Sequence, residues 1–216
     1  MPNQVASLSR SVRPREIHRS VARVVEPTVY PVTVEQVQRA LDMPDDLEDS
    51  QRQEILDLIG EATDIVERDT RRALMPQEWI VRMDEFPRSF RQTPYHNRGL
   101  LELDWPPVRV PGEGSAVTIT YIVDGETETL SADVYEIDVF SEPCRIRMNT
   151  GKSWPETDKT QNAVSVRFLA GYPNRESIPQ GLRRAVLLAI KHLYDGCELG
   201  EAYRGIINRY RWEGVV

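Results

Sequence analysis

Residues 162–196 read NAVSVRFLAGYPNRESIPQGLRRAVLLAIKHLYDG, and inside them the hydrophobic period changes from two to between three and four. Up to Leu169 apolar and polar residues alternate, which predicts a strand over 162–169. Gly171-Tyr172-Pro173-Asn174 then closes the β pattern. Beyond it Leu182, Ala185, Val186, Ala189, Ile190, Leu193 and Tyr194 fall on one helical face. Pro179 lies in the first turn, where a missing N–H costs little, and Gly196 marks the end.

The same change of period occurs in reverse nearer the N-terminus. Thr33 is placed to cap a short helix over 34–41, with Val34, Val37 and Leu41 on one face and Pro44 stopping it. A second helix of about 25 residues starts near Asp46–Asp49, where acids suit the positive end of the helix dipole. Its apolar positions are Ile55, Leu58, Ile59, Ala62, Ile65 and Val66, and Arg71 and Arg72 stand at its C-terminal end. From Gln77 the period is two, with strands expected at 77–84, 99–104, 116–123, 126–130, 134–140 and 144–148. Asp124-Gly125 is a strong hairpin signal, and Ser141-Glu142-Pro143 is a second turn. A last, weaker helical pattern covers 203–211.

The plan is α+β: a helical bundle formed by N-terminal and C-terminal helices, with an antiparallel β-rich domain inserted between them. Its expected divisions are a flexible basic arm (1–28), the N-terminal bundle helices (29–75), the β-rich insertion (76–170), the C-terminal bundle helix (171–200) and a docking tail (201–216). A chain of 216 residues with 40% hydrophobic residues can bury such a core without staples.

The formal charge of −7 argues against a general nucleic-acid binder, but its distribution is uneven. Residues 1–26 carry Arg10, Arg13, Arg15, Arg19 and Arg23 against Glu16 and Glu26, a local +3. Residues 35–69 carry twelve acids against Arg39, Arg52 and Arg68, a local −9. The basic segment lacks an apolar period and reads as an arm that orders on a partner. No apolar run approaches the length of a membrane span.

Motifs for chemistry fail on their own spacing. Gly151-Lys152-Ser153 resembles the end of a phosphate loop, but Ile146 stands where the first glycine is needed and Trp154-Pro155 follows. Gly112-Glu113-Gly114 lacks the strand–turn–helix context of a dinucleotide loop. His18, His96 and His192 have no partner at metal-ligand spacing, and Cys144 and Cys197 form no CxxC. The cluster Asp45-Asp46-Leu47-Glu48-Asp49 lacks the glycine and final glutamate of a calcium loop. Trp79, Trp105 and Trp154 read as packing residues. Tyr203, Ile206, Ile207, Tyr210 and Trp212 form an amphipathic tail suited equally to docking on another protein or to packing within the chain.

The order of these segments carries a resemblance. The stretch PVTVEQVQRALDMPDDLEDSQRQEILDLIGEATDIVERDTRRALMPQEW resembles the N-terminal half of head–tail connector (adaptor) proteins of long-tailed bacteriophages and related gene transfer agents. The likeness continues through Pro106-Pro107-Val108, the hairpin, VYEIDVFSEPCRI and the stretch from Asn162 to Gly196, so it spans about 29–197.

It implies a structural virion protein without catalytic residues, cofactor or metal. Such a protein would form a ring, commonly of twelve copies, under the portal protein in the virion neck, assembled in the host cytoplasm. It would extend the channel through which DNA passes without sequence-specific binding, and offer a docking surface to stopper or tail-terminator proteins. Three further expectations follow from residues. Arg10, Arg13, Arg15, Arg19 and Arg23 would reach a neighbouring subunit or the portal; Asp45, Asp46, Glu48 and Asp49 would face the channel; and Tyr203, Ile206, Ile207, Tyr210 and Trp212 would dock on the portal. The alternative is a non-viral ligand- or nucleic-acid-binding module that uses the β-rich insertion.

Overall fold

The structure, a computed structural model, describes residues 18–87, 99–109 and 117–212. Elements follow in the order β1 (Arg19–Val25), α1 (Val34–Ala40), α2 (Asp49–Thr70), β2 (Gln77–Met83), β3 (Leu101–Leu103), β4 (Thr118–Val123), β5 (Glu126–Thr129), β6 (Tyr135–Asp138), β7 (Cys144–Met148), β8 (Val164–Ala170), α3 (Gln180–Asp195) and α4 (Glu201–Tyr210). The class is α+β, and every strand pairing is antiparallel.

The four helices share one hydrophobic cluster. Val34 and Val37 of α1, Ile55, Ile59, Ala62 and Val66 of α2, Leu182, Ala185, Val186, Ala189 and Ile190 of α3, and Tyr203 and Ile207 of α4 all contribute. These are the i, i+3, i+4 positions of each helix, so the apolar stripes meet and the charged faces stay wet. Thr33 caps α1 in a reciprocal box with Gln36, and Glu48 with Gln51 does the same for α2. α2 ends where Arg71 turns left-handed at φ 53°, and α3 ends at Gly196 in the same conformation.

The strands form two sheets, β1-β2-β8-β4-β5 and β3-β7-β6. Their inward residues make a second cluster that includes Trp79, Val81, Leu103, Ile119, Ile146, Val166 and Phe168. Asp124 and Gly125 both take positive φ (53° and 78°), as a two-residue hairpin loop of the primed type requires. The Asp158 carboxylate accepts from both their N–H groups, at 3.1 and 2.8 Å.

One expectation is corrected. Residues 19–25, assigned to a flexible arm, are an edge strand paired with β2. Its alternation is inverted: Arg19, Val21 and Arg23 are half-buried, while Val24 and Val25 are 42% and 47% exposed. Inward arginines destroy the hydrophobic signal, and they also blunt an edge against stray pairing.

The chain enters and leaves the β region side by side. Ala73 packs in the strand cluster, whereas Leu74 and Met75 pack among the helices. Returning, Gly171 donates to the Pro107 carbonyl and Tyr172 to the Leu74 carbonyl. Gly171 has φ +106°, and a Cβ there would sit 2.1 Å from the Met75 carbonyl oxygen. We therefore expect Gly171→Ala to cost about 3 kcal/mol or more in urea denaturation. Gly151→Ala has a similar positive φ but open space around it, and should cost only about 1 kcal/mol.

Candidate functional site

Where α2 hands over to β2, three donors converge on Glu67. The carboxylate is 2% exposed. It accepts from the Leu74 N–H and Gln77 Nε2, each at 2.6 Å, and from Arg23 Nη1 at 3.1 Å. The same guanidinium also reaches Asp64 and Glu26. Burial pushes the Glu67 carboxyl up to about 7, against the pull of its donors. Arg19 anchors the other end of β1, donating to the Glu102 carbonyl and pairing with Asp104 at 2.6 Å.

A second tie joins the helices to the small sheet. Arg72 grips both Glu142 oxygens, at 2.8 and 2.5 Å, in the turn between β6 and β7. Its Nε donates to the Tyr210 carbonyl at the end of α4. The turn itself is braced from within, because Asp138 accepts from the N–H groups of Phe140 and Ser141 and from the Ser141 hydroxyl. Its tip, Phe140, is 93% exposed. α1 and α3 enclose an open groove of about 470 Å³ lined by Val32, Gln36, Arg39, Ala40, Gln180, Arg183, Arg184 and Leu187.

The residues singled out in the sequence are separated by this structure. Arg19 and Arg23 are used inside the chain, in the ion pairs above, which leaves Arg10, Arg13 and Arg15 of the basic cluster outside the described residues. Tyr203 and Ile207 are 4% and 2% exposed and belong to the helical core, with the Tyr203 hydroxyl donating to Asp69. The tail is thus not a free docking segment, and cutting after Gly200 would uncover that core. Ile206, Tyr210 and Trp212 remain partly exposed, and Trp212 N–H is held by the Thr70 carbonyl. Asp45, Asp46, Glu48 and Asp49 are all exposed around the α1–α2 loop.

Among the described residues no group of three His, Cys, Asp or Glu side chains is placed to hold a metal. Cys144 is buried, and its thiol is pushed up to about 12, chiefly by burial, so it is a poor nucleophile. Trp79 stacks on Trp105 at 4.3 Å and Trp154 on Phe86 at 4.8 Å, so these rings pack within the chain. Sequence reasoning missed Phe140 and the Arg23–Glu67 pair. An exposed aromatic has no periodic signature, and a contact across 44 residues leaves no local mark.

Two hydrophobic clusters and the side-chain ties between them make up this region. Solved structures give the fold its place. The chain is similar to one in the neck of an empty gene transfer agent particle, computed with C6 symmetry (18% identity, TM-score 0.69, covering 91% of this chain and 97% of that one). It is equally similar to a chain in the virion of a native gene transfer agent particle (16% identity, TM-score 0.69, the same coverage). A third likeness is to a chain in a native neck computed with C12 symmetry (18%, TM-score 0.55, covering 89% and 97%). No protein-family model and no curated protein matches the chain.

The Glu67 node generates a pH signature. Its carboxyl titrates near 7 in the fold and near 4.5 when unfolded, so between these values the folded chain holds a proton that the unfolded chain has lost. Stability must fall as pH rises through that window. Relative to Glu67→Gln, the native chain should lose about 3 kcal/mol between pH 4.5 and 7 in denaturation curves, at about 1.4 kcal/mol per unit. Parallel pH profiles would refute the node.

Proposed function

We propose that this chain is a structural neck protein, a head–tail adaptor that forms a ring under the portal, extends the DNA channel and offers the docking surface for stopper or tail proteins. The observation that carries this reading is the two-way match: nearly the whole of this chain aligns with nearly the whole of chains from gene transfer agent necks. A bundle fused to a β-rich part, as the shared cores suggest, provides two distinct bodies for contacts above and below a ring. The symmetric necks favour a ring of identical copies, which needs heterologous contacts that close by rotation.

Within this reading the exposed acids Asp45, Asp46, Glu48 and Asp49 line the channel, where like charge keeps passing DNA from sticking. Arg10, Arg13 and Arg15 belong to a basic N-terminal segment that reaches a neighbour or the portal. Ile206, Tyr210 and Trp212 contribute to portal docking from the outer side of α4.

Mass measurement of the purified chain, alone and mixed with the portal protein of the same particle, tests the proposal. The expected result is a monomer or weak oligomer alone and a ring on the portal. A chain lacking residues 1–17 should keep its melting temperature, because β1 is intact, and form fewer rings. A monomer indifferent to portal that turns over a substrate would overturn the reading.

A further inference from the structure

Phe140 is displayed rather than merely exposed. Asp138 fixes the turn from one side and the Arg72–Glu142 pair holds it from the other, so the ring is pre-positioned in water. Aromatic residues, phenylalanine among them, and arginine are enriched at the cores of protein interfaces. The α1–α3 groove has the matching chemistry. Val32, Ala40 and Leu187 give it apolar walls, while Arg39, Arg183 and Arg184 have no ion-pair partner among the described residues. Arg183 Nε is buried without a hydrogen-bond partner. A phenyl ring under guanidinium groups gains cation–π attraction, and the Asp138 carboxylate beside it complements the basic walls.

Phe140 is 93% exposed and so does not occupy the groove of its own chain, which leaves the groove open to another copy. We infer that Phe140 of one copy seats in the α1–α3 groove of the next, a head-to-tail contact that closes a ring when repeated by rotation. This rests on the ring-forming reading above and names its contact.

The test traps the contact between two full-length variants, both with the exposed Cys197 changed to Ser. One carries Phe140→Cys and the other Ala40→Cys, and they are mixed with the portal protein of the same particle under mild oxidation. A disulfide-linked pair of the two variants is expected, and none when Phe140→Cys is mixed with Asp57→Cys on the exposed face of α2. Phe140→Asp should leave the melting temperature unchanged, and raise the concentration for half-assembly by about tenfold or more. Rings seen by mass without the mixed disulfide, and with Phe140→Asp assembling normally, would overturn the contact while leaving the ring intact. Equal cross-linking to both partners would likewise overturn it. Phe140→Asp rings that no longer attach to portal protein would reassign Phe140 to the portal. If neither rings nor the disulfide form, the ring reading fails and this contact with it.

Discussion

The handover from helix to sheet in this fold is organised around the carboxylate of Glu67. It sits one turn before the end of α2, where the chain must leave the helical core and start a sheet. Such a handover strands backbone donors in a dry place, and a buried unpaired N–H is costly. Glu67 takes the Leu74 N–H at the exit and the Gln77 side chain at the first residue of β2. Its remaining oxygen takes Arg23, which locks the edge strand β1 to the same spot. One side chain thereby ties the end of α2 to the start of β2 and to the N-terminal strand. The cost is a carboxylate held where burial opposes its charge.

The returning chain closes the junction. Gly171 is needed because its backbone lies against the Met75 carbonyl at an angle only glycine tolerates. Leaving and returning segments therefore run side by side at this junction, further tied by Arg72 to Glu142 and α4.

Helices and central strands were legible in the sequence because their burial follows a period. Thr33, Pro44, Asp124-Gly125 and Gly196 punctuate them with turn and cap chemistry that works locally. β1 is illegible because two of its three half-buried residues are arginines, whose partners Glu67 and Asp104 lie far along the chain. The tail was ambiguous for another reason. Tyr203 and Ile207 are spaced as well for a partner as for the core, and only the packed bundle decides between them. The interaction surface was hardest to read, since a lone phenylalanine such as Phe140 becomes informative only once its exposure and the bracing of its turn are seen.

Electron microscopy of necks assembled from the native chain and its portal most directly tests the idea that this scaffold works as a repeated ring. The expected image is a closed ring with sixfold or twelvefold symmetry around an open channel, with the Asp45–Asp49 loops turned toward the opening. Monomers scattered on the particle, an open filament, or a ring with those loops on its outer rim would contradict it.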